Sequence, residues 1–252
     1  MNFTFTRRSV KQLYLKYTVM FVFLAVCIFG TYLLTGHTFI LSKDALNQHL
    51  PLMANYRAAL IHFFHHPGQF QYWSWKMGLG TDTFQVYSYY TIGDVFAYLA
   101  LLFPAAKMTL AYQVITVIRL YCVGLAFVYF AQHFRFRDNV ILAGAATYMV
   151  NAFLLYACIA QPFFTTPFIL FPLIVVQLER VLQGRSAWPL VGAFTWMLIS
   201  NYYFAFVLGI GAVLYLILRV TTHYRTSLNY WQTLAKLAFA TISSILVSAV
   251  ML

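Results

Sequence analysis

The stretch YTVMFVFLAVCIFGTYLLTG, Tyr17 to Gly36, decides the fold. It carries no charge over about 20 residues, the length an α-helix needs to cross a hydrocarbon core of about 30 Å. Arg7, Arg8, Lys11 and Lys16 precede it, and such cations stay on the cytoplasmic side. Leu33, Leu34, Thr35 and Gly36 offer no small-x-small cleavage site, so the segment reads as a retained signal anchor with the N-terminus inside. The whole chain shares its character. Of 252 residues, 62% are hydrophobic and 8% charged, too little charge to build a water-facing surface. The formal charge of +11 then belongs to cytoplasmic loops facing anionic headgroups rather than to nucleic-acid binding. Cys27, Cys122 and Cys158 lie in apolar runs and read as small hydrophobes, not as a disulfide framework or zinc site.

The remaining cations set the topology. Arg135 and Arg137, Arg180 and Arg185, and Arg219 and Arg225 mark three cytoplasmic loops. Met108 to Ala131 supplies the second span. Val95 to Phe103, closed by Pro104, is too short to cross and reads as an interfacial or re-entrant helix, which leaves residues 37 to 94 outside. Val140 to Ala160 rises and Phe163 to Gln177 returns, with Gln161, Pro162 and Pro167 around the turn. Trp188 to Leu218 begins and ends beside cytoplasmic cations, so parity demands two passes of about 15 residues, roughly 23 Å each, turning at Asn201, Tyr202 and Tyr203. Leu234 to Leu252 is apolar to its last residue, which predicts that the chain is the N-terminal part of a longer protein. The expected architecture is an all-α polytopic bundle of about seven spans, multi-pass in the cell membrane, without a soluble domain.

The outside segment is where chemistry concentrates. It holds three of the five carboxylates, Asp44, Asp82 and Asp94, and five of the seven histidines. Leu46, Leu50, Met53, Leu60 and Phe63 or Phe64 recur at helical spacing, predicting an amphipathic helix in the headgroup plane, started or kinked at Pro51. Asp44 has two readings: a cap on this helix, accepting from backbone amides, or a base at the membrane surface. His62, His65 and His66 have no carboxylate nearby in sequence, so a divalent metal is not supported by spacing. Trp73, Trp75, Tyr87, Tyr89 and Tyr90 form either an interfacial aromatic belt or platforms for sugar rings. Arg119 lies halfway along the second span, where a buried cation costs at least a few kcal/mol unless answered. With no acidic residue evident in the other spans, it is either a snorkelling or ion-paired structural residue or a partner for an anionic lipid phosphate.

Several segments together carry a resemblance: Asp44 in SKDALNQHLP, WSWKMGLG from Trp73 to Gly80, YSYYTIGDVFAYLALLFP, the NAF at Asn151 to Phe153, and the NYYF at Asn201. In this order they resemble the YfhO family of bacterial multi-spanning proteins. The resemblance implies a GT-C-like glycosyltransferase that moves a sugar from a polyprenyl-phosphate carrier to a cell-surface glycopolymer such as lipoteichoic acid, or to a glycolipid. It implies Asp44 as the base, or as the residue that positions the acceptor hydroxyl. The leaving lipid phosphate needs cations, for which Arg57, Lys76 and Arg119 are available. Asp82 and Asp94 stand open as second carboxylate, metal ligand or loop brace. Gly78 and Gly80 let backbone approach a ligand or simply form a turn. Trp73, Tyr89, Tyr90, Asn201 and Tyr203 complete the expected substrate-binding set. The rival reading is a transporter or flippase of lipid-linked envelope precursors, with Arg119 and the short helices around Asn201 lining a path.

Overall fold

The computed structural model describes residues 10–225 and 229–249; Arg7, Arg8 and the end of the last apolar run, 250–252, lie outside the described residues. Each apolar run is helical. α1 is Val10–Thr35, α2 Leu50–His65, α3 Thr83–Tyr87, α4 Met108–His133, α5 Asp138–Met149 and α6 Ala152–Ala160. α7 follows over Thr166–Leu182, then α8 Trp188–Ser200, α9 Tyr202–Thr222 and α10 Tyr230–Ser248. Among the described residues the one sheet is a two-stranded antiparallel ribbon, β1 Trp73–Ser74 with β2 Thr81–Asp82.

α4 is the hub. It packs against α1, α5 and α7, and its buried face runs from Met108 through Arg119 to Ala131. Close approach depends on small residues, because between helices in lipid the association energy comes from packing and hydrogen bonds rather than from water release. At Gly124 an added Cβ would strike the Tyr17 hydroxyl and the Met149 sulfur. α1 offers α4 a stripe of Leu13, Tyr17, Phe21 and Phe29, with the Tyr17 hydroxyl donating to the Tyr121 carbonyl at 2.6 Å. Its other faces, including Leu15, Val19, Phe23 and Leu34, are exposed and apolar, as a lipid-facing helix requires.

Three expectations are corrected. The run Val140 to Ala160 is not one straight riser: α5 and α6 meet at 51°, because Asn151 adopts extended backbone and its side chain accepts from the Leu154 amide, capping α6 anew. The span expected to end at Gln177 continues to Leu182, and so carries a buried carboxylate, Glu179. Arg219 grips it through two nitrogens (2.6 and 3.0 Å), and the Tyr215 and Tyr224 hydroxyls donate to it at 2.8 and 2.6 Å. Against the seven spans expected, four helices among the described residues are long and apolar enough to cross, Val10–Thr35, Ala105–His133, Pro162–Leu182 and Tyr202–Thr222, or five with the bent pair counted as one. α8, with 13 residues, is too short to count, because Asn201 ends it and caps α9 through the Phe204 amide.

Successive helices still run between two poles. At one pole the Leu41 amide donates to the Ile159 carbonyl (3.0 Å), Gln161 reaches Asp44, and Tyr89 packs on Tyr202. At the other, Lys236 Nζ donates to the carbonyls of Gly184 and Arg185 (2.5 and 3.1 Å), beside the Glu179 cluster. The segment joining α1 to α4 caps the first pole and reaches down the bundle from it, Phe39 to Phe29 and Asp94 to Arg119.

Candidate functional site

The chain leaves α1 through Gly36, held at φ +69°, and runs back along the bundle. Phe39 packs on Phe29 with ring centroids 4.5 Å apart, and its amide donates to Gln113 Oε1 of α4. A single π-helical turn, Ala45–His49, then leads into α2, whose first turn contains Pro51 as expected. This π turn settles Asp44. Its backbone is already helical (φ −61°, ψ −36°), whereas a capping side chain needs an extended residue, and its carboxylate takes no backbone amide. Asp44 Oδ2 instead accepts from Gln161 Nε2 at 3.0 Å, across from the α6–α7 junction. The carboxylate is therefore exposed at the pole and spare of capping duty.

Aromatic side chains wall it. Tyr90 accepts from Gln48 Nε2 at 2.6 Å and stands perpendicular to Phe163 at 6.0 Å. His49 packs edge-on to Phe163 at 5.1 Å and is 8% exposed. Burial lowers its pKa from 6.5 to about 4 against the opposing pull of Asp44, so the ring is neutral at pH 7. Tyr90 is pushed up, first by burial and then by the neighbouring Tyr89.

Beneath His49 lies a hollow of about 40 Å³, bounded by Met53, Thr91, Asp94, Tyr112, Thr116 and Arg119. Its base chooses between the two readings of Arg119: the residue is ion-paired. The guanidinium is not left for a lipid phosphate: Nη2 pairs with Asp94 Oδ2, Nη1 reaches Thr166 Oγ1 at 3.4 Å, and the group lies 4.6 Å over the Phe96 ring. Asp94 also accepts the Phe96 amide at 3.2 Å, so it braces the loop onto α4. Three buried polar atoms without a partner among the described residues, His49 Nε2, Tyr112 Oη and Arg119 Nε, line this hollow. About two or three waters fit that volume.

A wider crevice of about 640 Å³ opens beside Tyr89 and Tyr90, between Thr81–Ser88 and the end of α8 with Asn201 and Tyr202. Gly93 lets the loop meet the end of α8, since the Ile199 carbonyl occupies the place where a Cβ would stand.

The other expected residues are distributed differently. Arg57 Nε donates to the carbonyls of Ala100 and Phe103 at 3.2 and 2.8 Å, fastening α2 to the 3-10 helix Ala97–Leu102, which lies within the short helix expected at Val95 to Phe103. Asp82 caps α3 through the Gln85 amide. Asn201 is occupied as the α9 cap, and Tyr203 is exposed against Phe204. Trp73, Lys76, Gly78 and Gly80 build a separate hairpin. No group of three His, Cys, Asp or Glu among the described residues could hold a metal, although the His62 and His66 rings stack at 5.1 Å. Sequence reasoning missed Gln48, His49, Gln161 and Phe163. The one signal was their placement, the first two within a turn of Asp44 and the others around Pro162.

Long apolar helices joined by a polar, aromatic pole define an all-helical integral membrane protein. The chain belongs to the family described as bacterial membrane protein YfhO, whose model matches residues 18–252. No curated protein and no solved structure gives a significant match.

Proposed function

We propose that the protein is a membrane glycosyltransferase, moving a sugar from a polyprenyl-phosphate donor to a glycopolymer or glycolipid on the outer face. The observation that carries this reading is the Asp44 carboxylate, free of helix capping, exposed, and oriented by Gln161 beside an aromatic wall. The Arg135, Arg180 and Arg219 loops mark the far pole as cytoplasmic, which turns the Asp44 pole outward. The donor's isoprenoid chain lies along the exposed apolar side of α9, where Tyr202 and Phe206 face lipid, and its phosphate reaches the crevice beside Tyr89. Asp44 takes the proton of the acceptor hydroxyl as that oxygen bonds the anomeric carbon. The bond from that carbon to the phosphate oxygen breaks, and its electron pair leaves with the phosphate. Lys43, exposed next to Asp44, is the cation at hand for that charge, since Arg119 is committed to Asp94.

The test is transfer of labelled sugar from its polyprenyl phosphate by full-length protein in membranes. Asp44→Asn keeps an oxygen for Gln161 but cannot take the proton, and lowers transfer about 100-fold or more. Undiminished transfer refutes the role of Asp44; scrambling of the donor lipid without any transfer supports a flippase instead.

A further inference from the structure

The motif WSWKMGLG has no part in the Asp44 site, yet it builds a second one. β1 and β2 pair in register, Trp73 with Asp82 and Ser74 with Thr81, and the connection between them turns through Gly78 and Gly80 at φ +60° and +104°. Gly80 sits against two indoles: a Cβ there would come within 2.8 Å of the Trp75 ring and 3.0 Å of the Trp73 ring. Thr83 closes the base, its amide donating to the Tyr72 carbonyl at 2.9 Å and its hydroxyl to the Gln71 carbonyl. The hairpin is thus a fixed wall. Facing it is the side of α2 that bears Asn55, Ala58, Ala59, His62 and Phe63, and a hollow of about 330 Å³ separates the two.

The lining has two parts. Phe63, Phe70, Met77 and the buried Tyr87 supply an apolar, aromatic floor. The rim carries the amides of Asn55, Gln69 and Gln71, the Ser74 hydroxyl, Lys76 and His62, and no carboxylate is among the lining residues. The three amide heads and Lys76 Nζ make no bond to another group of the described protein. Rings accept the C–H faces of sugars, amides match pairs of hydroxyls, and an uncompensated cation selects negative charge. From Asp44 to Asn55 and His62 the chain advances 11 and 18 residues along the π turn and α2, about 16 to 27 Å at helical rise. A group bound there cannot be the one reacting at Asp44.

We propose that this hollow binds an acidic carbohydrate chain, one carrying phosphate or carboxylate groups, at a distance from the reacting centre. Its service as a grip on a polymeric acceptor rests on the transferase reading; the binding itself does not. The experiment uses the full-length protein in nanodiscs with three probes: phosphorylated maltoheptaose, maltoheptaose, and inorganic phosphate. The phosphorylated oligosaccharide binds tightest, and the pair Asn55→Ala with Gln71→Ala weakens it about tenfold. Lys76→Gln removes its advantage over the neutral oligosaccharide, while Asp44→Asn changes neither affinity. Binding unaffected by all three rim substitutions, or inorganic phosphate displacing the oligosaccharide at equal concentration, overturns the proposal. With transfer measured as well, the rim variants raise KM for polymeric acceptors and leave kcat, and KM for a single-unit acceptor, unchanged. Loss of transfer in Asp44→Asn with oligosaccharide binding intact separates the two sites.

Discussion

Neutralising Asp94 tests how the loop is held. In Asp94→Asn the shape is nearly kept, but Arg119 remains a cation in a side chain 4% exposed, facing a neutral amide oxygen in place of the carboxylate, with Thr166 at 3.4 Å and the Phe96 ring beside it. A buried charge deprived of its partner costs about 3–5 kcal/mol, because its desolvation is no longer offset. Arg119→Met should cost less, since Asp94, at 10% side-chain exposure, keeps some contact with water and still accepts the Phe96 amide. The double variant should cost less than Asp94→Asn alone, giving a coupling of about 2–3 kcal/mol. Equilibrium unfolding in mixed micelles measures these values. Cys158, fully buried in α6, serves as a thiol reporter once Cys27 and Cys122 are replaced by Ser. A cost below about 1 kcal/mol for Asp94→Asn, or simple additivity in the cycle, would show that the charges do not depend on each other.

Gly93→Ala forces a Cβ into the Ile199 carbonyl, so α8 and the loop must part; detergent unfolding should register about 3 kcal/mol or more, and new protease sensitivity should appear near Ser88–Asp94. For His49 the sign is set by a pKa of about 4 when folded against 6.5 unfolded. The unfolded loop binds the proton more readily, so loop stability is full above pH 6.5 and falls as pH drops toward 4, by about 3 kcal/mol in all. Asp44, Tyr90, Tyr112, Asp94 and Arg119 surround the ring or its hollow, and the carboxylates blunt the loss. Hydrogen exchange of residues 42–53 between pH 7 and 4 measures it, and a His49→Phe protein with the same profile would assign the effect elsewhere.

Much of the helical layout was legible because lipid imposes a simple rule: a run without charge becomes a helix. Tyr17–Gly36, but for its last residue, lies within α1, and Met108–Ala131 lies within α4. What escaped was decided by single polar residues. Asn151 and Asn201 are caps whose effect, a bend in one case and a shortened α8 in the other, depends on backbone angles that apolar composition does not encode. Asp44 as cap or free carboxylate turned on one π-helical turn, and such turns leave no periodicity to read. The partner of Arg119 is 25 residues back, beyond the 3-10 helix and Pro104, and no spacing rule joins the two.

The same facts explain how the pole is held rigid. In a bundle surrounded by lipid, apolar contact between helices gains little over contact with acyl chains, so apolar packing alone would let the α1–α4 segment slide. That segment is instead pinned by directional groups: Phe39 to Gln113, Asp44 to Gln161, Arg57 to two carbonyls, and Asp94 to Arg119. Each pin has one register, and three of them end on α4 or on the α6–α7 junction. The position of the Asp44 carboxylate is therefore set by the transmembrane helices rather than by the loop that carries it. Changes at Gln113, Gln161 or Arg119 should then disturb the Asp44 pole before they disturb α4 and α7, which have extensive apolar packing of their own, whereas the loop's few buried apolar residues, such as Phe39, Met53 and Phe96, leave its register to these bonds.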